Sequence, residues 1–449
     1  MRISTSQIYD SALQGMERSN SQLLKLQNQL SSGRRMLTPA DDPVASARAL
    51  AVTQAREVTA QYARNQGHAS DRLGLVDSQL SALNDSLQSV RSRVVQAGNT
   101  VLADTDRQAI AIELEARLDE MLAIANSRSA EGDYLFAGFQ GATMPFARSA
   151  ATAPTGASAV AYFGDDGQRL LQVSSSQQMP SNVAGSDLFM NIREGNGRFS
   201  TAGGGNGGLA NQGSGSIDAG SVLDHQKWQD AINTAFPWQG TNNRSLQVVF
   251  SSGTGGTTYQ LFDVSTPAPP SAPLPPLAVS DVRPFSPGQA IPLLTTAQPP
   301  AAPLSVDFGA QVVISGQPAA GDTFAVRPSA NKSVFQTMDE LIALLRSPLD
   351  SSTARGDFAS QLQGHLSNLD QALAKVSRVQ STVGAHLQEL DSLSSNAAAL
   401  DIQYQQTLSN LQDLDYAQAI SDFTRQQVGL EAAQKSFVTI SGLSLFNYL

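Results

Sequence analysis

Few residues in this chain have a type and spacing that could do chemistry. Gly203, Gly205 and Gly208 satisfy G-x-G-x-x-G, the pattern that lets a pyrophosphate approach backbone N–H groups. That fingerprint needs a strand before it and a helix after it. Here it falls inside GGGNGG low complexity, so no phosphate cradle is expected. There is no G-x-x-x-x-G-K-[ST]. The four histidines, His68, His225, His365 and His386, include no H-E-x-x-H. His365 and His386 lie 21 residues apart on one expected helix and cannot share a metal from it; all four read as helix-surface residues. Asp41-Asp42 and Asp165-Asp166 are carboxylate pairs in form, but cap and turn chemistry accounts for both. No serine sits in a nucleophile elbow. Accordingly no enzyme activity is expected, and no catalytic, cofactor-binding or metal-binding residue is assigned. A buried histidine or carboxylate cluster in the middle region would reopen that question.

Composition narrows the class further. The chain has 449 residues, 41% of them apolar, which is enough for real cores and two to four domains. Only 15% are charged, and Ser, Gln, Asn and Thr fill the gap. The net charge of −10 and pI near 4.9 argue against nucleic acid, which wants a basic face. There are no cysteines, hence neither disulfides nor thiolate metal sites. The start, MRISTSQIYDSALQG, lacks a basic segment followed by an apolar one, so no cleaved secretory signal is expected. No run of residues is apolar and long enough to span a membrane.

The elements are dominated by two helical ends. Tyr9, Ala12, Met16, Ser19, Leu23, Leu26 and Leu30 form a heptad seam, and a helix is expected to stop at Gly33, a residue suited to a left-handed cap. Asp42 caps and Pro43 opens a helix over 43 to 101. Its second half carries an unbroken seam: Ala69, Leu73, Val76, Leu80, Leu83, Leu87, Val90, Val94, Ala97 and Val101. Asp104-Thr105-Asp106 caps the next helix, with a seam from Ile110 to Ala125, after which Tyr134-Leu135-Phe136 is expected to begin extended structure. On the C-terminal side a helix over 362 to 414 carries Leu362, Leu366, Leu369, Leu373, Val376, Gln380, Val383, Leu387 and Leu390. It continues past a three-residue slip at Leu393 to Ala397, Leu400, Tyr404, Thr407, Leu411 and Leu414.

The middle differs. Val160–Phe163 and Leu170–Val173 flank Gly164-Asp165-Asp166-Gly167, a hairpin signal, and residues 246–250 and 259–262 flank a second. Val306, Phe308, Val312 and Ile314 suggest strands leading to Gly316. Residues 195–216 read as a mobile loop. Residues 266–304 hold twelve of the 21 prolines and read as extended linker rather than packed strand. The fold expected is a mainly α rod of antiparallel coiled-coil-like helices from both termini, with an inserted mainly β middle domain, α+β overall. The divisions are 1–40 with 413–449, 41–140 with 331–412, and 141–330. The terminal apolar residues are thinly spread: Ile3, Ile8, Met16, Leu23 and Leu30 at one end; Ile420, Phe423, Leu430, Phe437, Ile440, Leu445, Phe446 and Leu449 at the other. Such stripes suit packing of the two ends on each other, burial between subunits of an assembly, or both.

At these residues a resemblance emerges. Leu30-Ser-Ser-Gly33-Arg-Arg followed by Pro39-Ala-Asp-Asp-Pro43 resembles the flagellin N-terminal signature. Glu131-Gly-Asp-Tyr-Leu-Phe-Ala-Gly138, and the C-terminal run Leu414-Asp-Tyr416-Ala-Gln-Ala-Ile420, Leu430-Glu-Ala-Ala-Gln-Lys-Ser-Phe437, Leu443-Ser-Leu-Phe-Asn-Tyr-Leu449, resemble the flagellar hook-associated protein 3 family. Gly316-Gln-Pro318-Ala-Ala-Gly321-Asp-Thr-Phe324 resembles a turn-and-strand motif of hook-associated proteins. The resemblance covers about 1–140 and 316–449. It implies a structural adaptor of the bacterial flagellum at the hook–filament junction, exported unfolded through the type III apparatus and located outside the cell. The implied partners are hook-associated protein 1, flagellin, a cytoplasmic export chaperone holding the C-terminal helix, and further copies of the chain in a ring of about eleven. No cofactor is implied. The alternatives are a flagellin, which has the same architecture but polymerises indefinitely; an enzyme carried in the middle domain; and a coiled-coil secreted effector, which should lack matched seams at both ends.

Overall fold

The computed structural model describes residues 5–99, 102–148, 160–204, 211–235, 245–253, 255–264, 277–296 and 305–442. Its helices are α1 (Thr5–Ser32), α2 (Pro43–Ala97), α3 (Asp104–Ala125), α4 (His225–Asp230), α5 (Val334–Arg346), α6 (Ser352–Gln412) and α7 (Tyr416–Gly442). The strands run β1 (Phe146–Arg148), β2 (Val160–Tyr162), β3 (Leu170–Gln172), β4 (Gln178–Pro180), β5 (Ile192–Arg193), β6 (Phe199–Gly203), β7 (Ser216–Ile217) and β8 (Ser221–Val222). They continue as β9 (Leu246–Gly253), β10 (Gly256–Asp263), β11 (Leu277–Ala278), β12 (Arg283–Pro284), β13 (Ala290–Thr295), β14 (Val306–Ser315), β15 (Thr323–Pro328) and β16 (Asn331–Lys332). Helical ends and a middle of antiparallel strands make the chain α+β.

Contacts group the chain into two units: Met1–Gly67 with Gln172–Gln178 and Glu389–Leu449, and His68–Leu171 with Met179–Gln388. The first unit holds α1, α7 and the outer parts of α2 and α6. Gly33 ends α1 with φ +67, as its position in the sequence requires. Asp42 accepts the Ala45 N–H at 3.0 Å and Pro43 is the first helical residue of α2. Within this unit α2 and α6 run antiparallel, tied by Arg56 Nε to Asp401 Oδ1 at 2.7 Å. Asn65 Nδ2 and the buried Gln66 Nε2 donate to the carbonyls of Gln172 and Val173 at 2.8 and 2.7 Å.

In the second unit the α2 seam is fully used. Ala69, Leu73, Val76, Leu80, Leu83, Leu87, Val90, Val94 and Ala97 are each at most 1% exposed; Val101 lies outside the described residues. Its partners are α3, whose Ile110, Leu114, Leu118 and Met121 are buried, and α6. On α6 the expected seam splits into two rows. Leu362, Leu369, Val376, Val383 and Leu390 are buried, whereas Leu366, Leu373, Gln380 and Leu387 are half-buried. The helix starts ten residues earlier than expected, at Ser352. The start of α3 also differs in detail: only the Asp106 carboxylate caps, accepting the Ala103 N–H at 3.2 Å, while Asp104 pairs with Arg107 at 2.8 Å.

Strands of this unit form a six-stranded sheet ordered β11-β10-β9-β15-β6, with β12 also on β10, and a four-stranded sheet ordered β13-β14-β7, with β8 also on β14. Phe199, Trp228, Leu246, Val248, Phe250, Phe308, Val312 and Phe324 make one core. A second aromatic group, Phe136, Phe146, Phe189 and Phe335, has ring centroids 5.1–5.6 Å apart. The β9–β10 hairpin and the β14 strand into Gly316 (φ +76) are as the sequence implies. Asp322 closes the turn before β15, accepting N–H groups from Gln212, Gly213 and Ala319 at 2.6–2.9 Å.

Four expectations need correction. Residues 160–163 and 170–173 do not pair with each other; β2 pairs β1, and β3 pairs β4. The Gly164–Gly167 segment is instead a loop in which Asp165 Oδ1 accepts from Phe139 N and Gly167 N, both at 2.8 Å. Tyr134 makes only an isolated bridge to Arg128, and the buried Leu135–Ala137 turn away rather than continue as a strand. The 195–216 segment contains β6, and Asn211 is buried and exchanges hydrogen bonds with the Thr323 backbone. Residues 277–296 of the Pro-rich segment form β11, β12 and β13, with Val279, Ile291 and Leu293 buried. Pro292 is tolerated there because β13 is an edge strand, paired only to β14; the register shift between Pro292 and Leu294 follows it directly.

Candidate functional site

The first unit's terminal helices meet along the expected seam. Tyr9, Ala12, Met16, Ser19, Leu23, Leu26 and Leu30 are the half-buried positions of α1, joined by Gln29; the rest of its described surface is exposed. On α7 the facing row is buried Ala419 with half-buried Phe423, Gln426, Leu430 and Phe437. Tyr9 meets Phe437 edge to face at 5.6 Å, and Gln426 Nε2 donates to Gln22 Oε1 at 3.0 Å. These pairs, with Gly33 beside Leu414, make α1 and α7 antiparallel.

The register is set where both helices begin or end. Arg34 and Asp413 form an antiparallel bridge. Leu414 N donates to Gly33 O at 3.0 Å, Arg35 N to Gln412 O at 2.7 Å, and Arg35 Nη2 to Leu411 O at 3.0 Å. The end of α1 and the α6–α7 junction, distant in sequence, are thus held by backbone pairing rather than by side-chain packing alone. The turn into α2 is fixed by Asp41, whose carboxylate takes Lys25 Nζ at 2.7 Å and the N–H groups of Leu37 and Thr38 at 3.0 and 2.9 Å. The Lys25 hydrogen bond, then the Thr38 N–H, hold its pKa well below the ordinary carboxylate range.

Compared with the α2 seam, the terminal pair is open. No described seam residue of α1 reaches full burial, and apolar side chains remain on its outer faces: Leu13 and Leu24 on α1, and Ile420, Val428 and Val438 on α7, each at least half exposed. Met16, Leu23, Leu30, Phe423, Leu430 and Phe437 are brought together; Ile420 is 54% exposed and points off this seam. Ile8 lies on α1 and Ile440 on α7, and Ile3, Leu445, Phe446 and Leu449 lie outside the described residues. What this arrangement offers is apolar surface still open to burial.

Of the residues with chemical potential, Asp165 and Asp166 serve turns, Asp166 accepting from Ser186 Oγ. His68 and His225 are exposed and His386 is half-buried, but His365 is buried in the second unit, contrary to the surface reading. A lone histidine on a helical pattern gives no local signal of burial; the cover comes from elements more than twenty residues away. No group of three or more His, Cys, Asp or Glu among the described residues could hold a metal ion. Helix α5 was also missed, although Ser333 three residues before Gln336 is an N-terminal cap signal; Ser333 Oγ accepts the Gln336 N–H at 3.1 Å.

Comparison with known proteins agrees with this build. The bacterial flagellin N-terminal helical region matches residues 3–141, and the C-terminal helical region matches residues 366–449. The chain belongs to the flagellin-like family. Within that family it is similar from end to end to flagellar hook-associated protein 3 of Escherichia coli, 23% identical over 447 residues and 99% of each chain. The protein of the same name from Salmonella typhimurium is 33% identical over 192 residues, covering 43% of this chain and 58% of that one's length. The crystal structure of hook-associated protein 3 from Legionella pneumophila superposes with TM-score 0.65 at 26% identity, covering 80% of this chain and 98% of that one. The Xanthomonas campestris FlgL crystal structure gives 0.62 at 27%, covering 80% and 99%. Similarity to a Salmonella naestved flagellin, 30% over 117 residues, covers only 26% of this chain. The flagellin alternative is therefore less supported than hook-associated protein 3.

Proposed function

We propose that the chain is the adaptor subunit that joins hook to filament in the bacterial flagellum. The observation that carries this reading is the α1–α7 pair, a backbone-registered helical seam that leaves its apolar residues half open. Helices poor in large apolar residues gain little from one partner, and neighbouring subunits would complete the burial. The end-to-end similarity to hook-associated protein 3 supports the same reading. The partners are hook-associated protein 1 on one side, flagellin on the other, and further copies of the chain in a ring of about eleven. Before assembly a cytoplasmic export chaperone covers the C-terminal helix, and the type III apparatus secretes the chain to the cell exterior. The role is structural, with no catalysis. Residues 1–40 with 413–449 form the innermost part, 41–140 with 331–412 the next, and 141–330 the outer part.

Phe423→Asp with Phe437→Asp should block assembly and weaken chaperone binding. Because Phe437 also packs on Tyr9 in the same chain, Ile420→Asp is the companion variant; its exposed side chain lies off the intramolecular seam. Each is expressed in a strain lacking the wild-type chain, and filament attachment is scored by electron microscopy. Both should shed filaments, while the main thermal transition of each purified full-length variant, which reports the core from about 45 to 410, should match wild type. Normal motility and attached filaments in both strains would refute the reading.

A further inference from the structure

We propose that His365 makes the seating of β15, β16 and α5 on helix α6 acid-sensitive: its protonation places a charge on a buried ring beside a polar cavity whose two carboxylates are already engaged, and loosens that contact. All of these elements belong to the second unit.

His365 is 8% exposed, and its Nδ1 has no hydrogen-bond partner. It borders a cavity of about 340 Å³ whose other walls include Glu194, Arg327, Lys332, Glu340 and Asn368. Glu340 Oε2 is the nearest counter-charge, 3.9 Å from Nδ1 and beyond hydrogen-bond reach. That carboxylate is already taken: Oε2 by Lys332 Nζ at 2.5 Å and Oε1 by Gln336 Nε2 at 3.0 Å. Glu194 accepts from Ser200 Oγ at 3.0 Å. Asn368 Oδ1 is occupied by the Gly195 N–H at 2.6 Å. The charged groups facing the imidazole are thus Glu194 from the β5–β6 loop, Arg327 from β15, Lys332 from β16 and Glu340 from α5. The cavity-lining residues of α6 itself, Ser360, Gln361, Gly364 and Asn368, are uncharged. Two cations and two anions balance around a neutral ring, and a proton on it is an uncompensated charge in a low-dielectric site.

Burial first, and Lys332 second, hold the imidazole pKa down to about 4, against the opposing pull of Glu340. The ordinary value is 6.5. Above 6.5 neither the closed nor the opened form carries the proton. Between 6.5 and 4 only the opened form binds it, so stability falls as pH falls, levelling off below the closed-state value. At pH 5 the linkage relation gives an opening equilibrium roughly 30-fold above that at pH 7.5. The drop comes from one group, before ordinary carboxylates protonate.

The test is amide hydrogen exchange of the full chain between pH 7.5 and 5, corrected for intrinsic rates. It follows peptides spanning 193–203, 325–346 and 360–370, with 73–94 of α2 as reference. Protection of the first three should fall about 30-fold relative to the reference, and His365→Gln should flatten that dependence. Lys332→Gln should weaken it, by removing one cation and freeing Glu340 for the imidazolium. An unchanged slope in His365→Gln, or a flat wild-type profile, overturns the proposal. Should His365→Gln fail to fold, a variant with His68, His225 and His386 each changed to Gln leaves His365 as the single imidazole for NMR titration. A midpoint near 4 supports the proposal, and one near 6.5 overturns it.

Discussion

Gly33 offers a sharp test of how the terminal helices are registered. It ends α1 at φ +67, and a Cβ built there lies 2.8 Å from Tyr416 Oη. Gly33→Ala therefore has two costs. An L-residue in the left-handed region costs roughly 1–2 kcal/mol. The steric cost is small, because Tyr416 is 52% exposed and its phenol can swing into solvent. If the backbone shifts to relieve the strain, it pulls on the Leu414 N to Gly33 O and Arg35 N to Gln412 O hydrogen bonds, each worth about 0.5–1.5 kcal/mol. The sum is roughly 2–5 kcal/mol, or about a 30- to 5,000-fold rise in opening of the α1–α7 pair. Hydrogen exchange of peptides within 5–32 and 416–442 reads it directly, with α2 residues 73–94 as reference. Repeating the change in a Tyr416→Ala background removes the side-chain clash and should leave most of the penalty in place. If exchange in both terminal helices stays within about 3-fold of wild type, the backbone bridge does not set the pairing and the reasoning fails.

Two further outcomes follow from the packing. Leu80→Ala empties a fully buried site on α2 and should cost about 2–5 kcal/mol in urea unfolding, while Leu24→Ala at a half-exposed site on α1 should stay within about 0.5 kcal/mol. Deleting 290–295 removes β13, with buried Ile291 and Leu293 and its ladder to β14, so the second unit should lose its cooperative thermal transition; a variant that melts like wild type would show β13 to be dispensable.

What the sequence made legible depended on how local the physical cause was. The α2 seam is an intrinsic periodicity, and the burial of every described member follows from it. The ends of α1 and the start of α2 are likewise local: one glycine able to take φ +67, one aspartate and one proline. The β9–β10 hairpin was visible because its turn residues sit between two alternating runs. The 164–167 segment had the same look and a different outcome. Asp165 spends its carboxylate on Phe139 N, 26 residues earlier, so its loop answers to the buried Leu135–Ala137 turn and not to its neighbours. The Pro-rich segment misled because proline count reports lost donors, not lost packing. At the sheet edge β13 buries alternate side chains all the same, with Pro292 on its exposed face. His365 was unreadable for the same reason, since β15, β16 and α5 create its surroundings.

The candidate site lies between these extremes. Its stripe on α1 is as periodic as the one on α2, and the structure uses both in the same way, facing a partner helix. The difference is residue type. From Leu73 to Val94 the α2 seam is all Leu and Val, and burial is complete. From Tyr9 to Leu30 the α1 seam admits Ala12 and Ser19, and meets Gln426 across the pair, so burial stops half-way. Periodicity tells which face is covered; side-chain volume tells whether one partner is enough. For α1 and α7 the pairing leaves Leu13, Leu24, Ile420, Val428 and Val438 at least half exposed, and it is on this uncovered apolar surface that the proposed burial between subunits rests.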